Sequence, residues 1–135
     1  MSEIAKLMSG IILITIPTIQ FGGYFLLRVL SGKFNKVEFN GFQKAMFRAG
    51  HAHAGVLVIL SLVCQLMADH SGLSEAMTWV ARTGVPASAI LISGGFFFSA
   101  MGRDRTTPNR WISMLYMGIF LLAFSIIVLG IGLLA

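Results

Sequence analysis

Four stretches of this chain contain no Asp, Glu, Lys or Arg: 7–27, 49–68, 83–102 and 111–135. Each is about 20 residues or longer, the length an α-helix needs to cross the hydrocarbon core of a bilayer. Lipid offers no hydrogen bonds, so a backbone inside it must satisfy its own N–H and C=O groups, and a helix does so within one segment. The pattern predicts membrane helices over 4–29, 46–67, 77–101 and 111–134, joined by short polar loops. The expected fold is all-α, a single integral membrane four-helix bundle filling residues 1–135.

Composition agrees. Only 11% of the 135 residues are charged, against about 25% in soluble domains. The net charge of +5 does not signal nucleic acid, because the cations flank apolar segments as topogenic signals do. The lone cysteine, Cys64, excludes a disulfide within the chain and any zinc-type cysteine cluster. The first apolar segment follows Lys6, is too long for a signal-peptide core and lacks a small-residue cleavage site. It reads as a retained helix.

Local features refine the spans. Pro17 should kink the first helix or free one backbone bond. The stretch 39–47 is either an interfacial half-turn or the first turns of the second helix. Ala68-Asp69-His70-Ser71-Gly72 is a helix stop. Arg82, early in the third span, is expected to snorkel outward. Lys and Arg concentrate in the first loop (Lys33, Lys36, with Lys44 and Arg48 after it) and the third (Arg103, Arg105, Arg110). The positive-inside rule then puts both termini outside and the basic loops in the cytoplasm. The expectation is a multi-pass protein of a bacterial inner (cytoplasmic) membrane.

With this orientation and a helical rise of about 1.5 Å per residue, Gln20, His51, His53, Ser99 and Tyr116 all fall in the cytoplasmic half of their spans. The outer half reads as hydrocarbon. Such sorting suggests one shared cavity.

The chemistry concentrates in Ala49-Gly50-His51-Ala52-His53-Ala54-Gly55. Ionisable groups inside a membrane span are expensive and point to function. Positions 51 and 53 lie about 200° apart on a helix, so the two imidazoles cannot chelate one ion from one helix. His51 has Gly55 one turn ahead, where a missing side chain would admit a flat macrocycle. Arg48 and Lys44 lie one and two turns behind it, where cations could meet haem propionates. His53 has Ala49 and Gly50 behind it. The competing reading is packing: Gly50-x-x-x-Ala54 is a small-xxx-small face, and a histidine there can simply hydrogen-bond a neighbour. Carboxylate pairs, nucleophile elbows and phosphate loops are absent. Any chemistry would fall to imidazole, tyrosine or a bound cofactor.

The segment Arg48-Ala49-Gly50-His51-Ala52-His53-Ala54-Gly55 resembles the haem-ligating helices of haem-copper-oxidase-like proteins. With four spans and a histidine near the start of the second, the chain is also similar to the small membrane isomerases of the styrene oxide isomerase and hydroxylaminobenzene mutase type. That resemblance implies haem b bound at the subunit contacts of a trimer, with ferric iron as a Lewis acid on an epoxide. Those isomerases carry an Asn-Gly shortly after the histidine; here Val56-Leu57-Val58 stands instead. Orientation of a small apolar substrate would therefore fall to Tyr24, Gln20 or Tyr116. Three readings stay open: a haem-b protein acting as a redox-neutral isomerase, with His51 as metal ligand and His53, Arg48, Gly55 and Lys44 around the cofactor; a non-enzymatic accessory or packing subunit with structural histidines; and a transition-metal site. Glycine-rich faces at Gly22-Gly23, Gly94-Gly95 and Gly130-x-Gly132 suggest a homo-oligomer, dimer or trimer.

Overall fold

The computed structural model describes residues 1–33 and 38–135. Lys36 of the first basic loop lies outside the described residues. The described chain forms four helices: α1 (Glu3–Leu30), α2 (Gly41–Ala68), α3 (Glu75–Ala100) and α4 (Ile112–Leu134). All four are long and apolar enough to cross a membrane.

Local chemistry sets the ends. Ser2 caps α1 by accepting from the Ala5 N–H at 3.1 Å. At the other end Gly32 takes φ +67°, which lets the N–H groups of Gly32 and Lys33 reach back to the Val29 and Arg28 carbonyls. This is the double bond of a Schellman stop, and glycine supplies the left-handed residue it requires. Helix α1 continues through Pro17 without interruption. The stretch 39–47 opens α2: Asn40 and Gln43 form a reciprocal capping box, and the helix starts at Gly41.

The helices pack in chain order. α2 lies between α1 and α3, α4 packs chiefly on α3, and α1 does not reach α4 among the described residues. α1 turns Ala5, Ile12, Leu26 and Val29 inward and leaves most of its surface open.

Each end of the α2–α3 pair is tied by the neighbouring helix. At the basic end the Gln43 amide donates to the Ala100 and Gly102 carbonyls at 3.0 and 2.9 Å. Asn109 donates to the carbonyls of Phe98 and Met101, and Asn40 to that of Arg105. Phe98 also accepts from the Met101 N–H; the other carbonyls lie at or beyond the end of α3, where no helical donor remains, and side chains satisfy them. Phe47 sits beneath this cap, stacked on Phe97 at 5.5 Å and edge-on to Phe25 and Phe39 at 5.7 and 5.2 Å.

At the opposite end the structure corrects the expectation for Arg82. It does not snorkel; it is 4% exposed. Its guanidinium donates to the Gln65 carbonyl and amide oxygen and pairs with Asp69. The Gln65 amide returns a bond to the Arg82 carbonyl at 2.8 Å. Asp69 also accepts from the Ser2 N–H and hydroxyl, both at 2.6 Å. Snorkelling would leave the Gln65 carbonyl and the Asp69 carboxylate without this donor, and the paired arrangement avoids that. The end opposite the basic loops, expected to be plain hydrocarbon, therefore holds a buried polar cluster. The 69–72 loop, the start of α1 and the end of α4 share this end, where the Gly72 N–H donates to the Gly132 carbonyl at 2.7 Å.

The glycines serve contacts inside the chain. A Cβ on Gly95 would meet the Leu115 backbone, one on Gly118 would meet Ile92, and one on Gly132 would meet Leu73. The α3–α4 seam and the 72–73 loop thus account for faces that the sequence suggested for contacts between copies. Gly130 remains open.

Candidate functional site around the α2 histidines

Helix α2 buries Gln43, Phe47, Gly50, Leu57 and Ser61 along one line. Its two histidines leave that line in opposite directions, as their spacing of about 200° requires.

His51 turns toward α1. Its ring lies over the glycine pair: a Cβ on Gly23 would stand 3.1 Å from Cε1 and 3.2 Å from Nε2, and one on Gly22 would stand 3.7 Å from Nδ1. The Gly22-Gly23 pair makes room for an imidazole, and helix backbone faces both ring nitrogens. On this side α1 stands close to Nε2. His51 thus packs as a spacer between α1 and α2, with less open surface than His53.

His53 turns toward α3 and is exposed on the surface of the chain. Its Nδ1 lies 2.8 Å from the Ala49 carbonyl. A carbonyl only accepts, so Nδ1 carries the proton in the neutral ring and Nε2 keeps its lone pair. The Phe96 ring lies 5.0 Å away, tilted by 33°, and limits rotation of the imidazole. A backbone carbonyl that fixes the tautomer and orientation of the far nitrogen is the usual support of a metal-ligating histidine. Gly50 allows α3 to approach here: a Cβ on it would stand 2.8 Å from the Phe97 ring and 3.1 Å from Phe96 Cβ.

The other expected site residues divide. Gly55 faces open space. Arg48 is exposed and Lys44 half-buried, and by helical spacing both share the His51 side of α2. Arg48 lies about 140° around the helix from His53. Gln20 and Tyr24 are exposed, on the side of α1 that faces away from α2. Tyr24 lines a cleft with Leu27, Arg28, Ser31 and Lys33. Tyr116 is 64% exposed and lines a groove with Leu91, Met117, Phe120 and Leu121, all on α3 and α4. Ser99 is buried, with its hydroxyl on the Phe96 carbonyl. The structure thus does not gather Gln20, Tyr24, Tyr116 and the histidines into one cavity of a single chain. Equal depth in the membrane does not make residues neighbours when their helices turn them outward. His70 is exposed at the end of α2, with Nδ1 on the Leu66 carbonyl at 3.0 Å.

Two groups of residues escaped the sequence reading. Phe96 as the ring beside His53 carried no signal beyond membership of a Phe run. Gln65, Asp69 and Arg82 did: positions 65 and 69 are one turn apart, and a charge near a span entry facing an amide and a carboxylate is better paired than snorkelled. Among the described residues no group of three or more His, Cys, Asp or Glu converges on a point. No protein family, no curated protein and no solved structure matches the chain.

Proposed function

We propose that this chain is a haem-b-binding membrane protein in which a histidine of α2 is the axial ligand, and that it acts as a redox-neutral isomerase on a small apolar molecule such as an epoxide. The observation that carries the reading is His53: exposed, its Nδ1 on the Ala49 carbonyl, its Nε2 lone pair unused. Alanines at 49 and 52 on the neighbouring surface leave room for a flat group to stand against the helix.

When bound, ferric haem with one open coordination position supplies Lewis acidity without a proton donor. The residues of the chain do the rest. The Ala49 carbonyl and Phe96 hold the imidazole in one tautomer and one orientation. Tyr24 and Tyr116 can each donate a hydrogen bond to a developing alkoxide, worth roughly 3 kcal/mol in a dry site. Both phenols point out of the chain, as does Gln20. They reach a molecule bound at His53 only from a neighbouring copy, which argues for a homo-oligomer, dimer or trimer, with the reaction at the contact. Arg48, turned away from His53 on its own helix, meets a propionate in the same way.

A second reading rests on His51. Its ring packed on Gly22-Gly23 suits a structural histidine that holds α1 to α2, so the accessory-subunit reading applies to this residue.

The test is spectroscopic. Protein purified from a haem-replete host should show a Soret band and a type-b pyridine haemochrome, and run as an oligomer by native mass measurement. His53→Ala should abolish the band while His51→Ala retains it. A colourless protein after haem supplementation refutes the haem reading. Loss in H51A with retention in H53A would move the ligand to His51. Aldehyde formation from styrene oxide should occur with oxidised and not with dithionite-reduced protein.

A further inference from the structure

The C-terminal stop of α1 builds a second site that contains neither histidine and shares only Tyr24 with the reaction proposed above. Residues Tyr24, Leu27, Arg28, Ser31 and Lys33 line a cleft of about 350 Å³. The positive φ of Gly32 folds the chain back, so that the Lys33 N–H donates to the Arg28 carbonyl at 3.0 Å. The Arg28 guanidinium in turn donates to the Lys33 carbonyl at 2.9 Å. The Arg28 guanidinium and the Lys33 backbone are thus held together, and both residues line one cleft. An anion in this cleft would meet two cations whose residues the turn holds side by side.

Among the described residues neither Arg28 nor Lys33 has a carboxylate partner. The four residues that follow, Phe34-Asn35-Lys36-Val37, contain no carboxylate in sequence and add another cation. The Arg28 hydrogen bond to Lys33 uses one of five guanidinium N–H donors. The cleft is also amphipathic along the helix axis. Its cations and the Ser31 hydroxyl lie at the end of the helix; Leu27 and the Tyr24 ring lie one to two turns deeper, beside the apolar span. That is the order of groups in a phospholipid, from phosphate to acyl chain.

We infer that this cleft binds the phosphate of an anionic membrane lipid, with Arg28 and Lys33 on the phosphate and Tyr24 and Leu27 along the first carbons of one chain. A cation near an anionic membrane surface contributes about 1 kcal/mol, or roughly fivefold in retention. Protein in detergent would be mixed with phosphatidylglycerol or phosphatidylcholine and retained lipid counted by native mass spectrometry. Wild type should hold phosphatidylglycerol at least about tenfold better than phosphatidylcholine. Lys33→Gln should reduce the preference about fivefold, R28Q/K33Q should erase it, and Arg103→Gln, whose guanidinium faces Asp104 outside the cleft, should leave it unchanged. K33Q keeps the test decisive if Arg28 variants misfold, because the Lys33 side chain makes no hydrogen bond among the described residues. Preference that survives R28Q/K33Q, or that falls equally in R103Q, would show a diffuse charge effect and overturn the site. Displacement of the lipid by millimolar inorganic phosphate would overturn the lipid in favour of a soluble anion.

Discussion

Gln43 gives the sharpest test of how the basic end is held. The residue is 2% exposed and has two separable roles. Its side-chain oxygen accepts from the Asn40 N–H at 3.3 Å, completing the α2 capping box. Its amide nitrogen donates to the Ala100 and Gly102 carbonyls, ending α3. Gln43→Met keeps length and removes both roles. A net hydrogen bond is worth about 1 kcal/mol, and a buried carbonyl left without a donor costs about 1–3 kcal/mol. Ala100 is fully buried and takes the larger penalty, whereas Gly102 is exposed and can turn to water. The expected loss is about 3 kcal/mol. Gln43→Glu separates the roles, since a carboxylate still caps α2 and suits a helix N-terminus but presents only acceptors to two carbonyls. Unfolding in mixed micelles by SDS titration, followed by helix circular dichroism, reads the midpoint. Both variants should lose stability, with Q43E no better than Q43M. Wild-type stability in Q43E would mean that the cap, and not the bond between helices, matters, and the account of the α2–α3 tie would be wrong.

Three further outcomes follow from the same geometry. Gly50→Val drives a side chain into the Phe97 ring, which lies 2.8 Å from even a Cβ there; overpacking of this kind costs about 1–3 kcal/mol, and any haem signal that depends on His53 beside Phe96 should fall with it, so unchanged stability and colour would count against the close α2–α3 approach. Hydrogen bonds from Ser2, and then the Arg82 guanidinium, hold the Asp69 carboxyl far below the usual carboxylate range; a depressed carboxylate contributes stability above its unfolded value of about 3.9 and loses it as pH falls toward the folded value. Acid titration of stability should therefore show a decline below about pH 4 that Asp69→Asn flattens, and identical profiles would remove Asp69 as its source. Cysteines placed at Lys33 and Ser74 should label from opposite sides of the membrane, Lys33 from the cytoplasm by the positive-inside rule; labelling from one side would contradict the antiparallel α1–α2–α3 order.

The fold was legible because a bilayer leaves so little choice. Four charge-free segments, each long enough to span, permit four helices and little else. The spans read at 46–67 and 77–101 fall within a few residues of α2 and α3, and the early start of α2 has a local cause in the Asn40–Gln43 capping box. What polarity could not supply was direction around each helix axis. In water an apolar stripe marks the core; in lipid both the inward and the outward faces of α1 are apolar, so Gln20 and Tyr24 carry no label that says outward. Arg82 shows the same limit from the other side. Whether a charge at a span entry snorkels or is buried depends on whether a partner helix offers acceptors, and Gln65 and Asp69 do so from another part of the sequence.

The spacing of the histidines carried more than their identity. Two imidazoles about 200° apart had to enter different seams, and the structure assigns them different surroundings: the Gly22-Gly23 pair for His51, a tilted aromatic ring and open surface for His53. The seam against α1 closes only because two adjacent glycines stand opposite the ring, so His51 and Gly22-Gly23 act as one packing unit. A group that needs a free nitrogen and an open approach is then left with the other side of α2. There His53 has its far nitrogen already engaged by Ala49, while the outward phenols of Tyr24 and Tyr116 lie on other faces of the chain. One chain therefore holds an oriented imidazole and phenol donors that its own packing keeps apart.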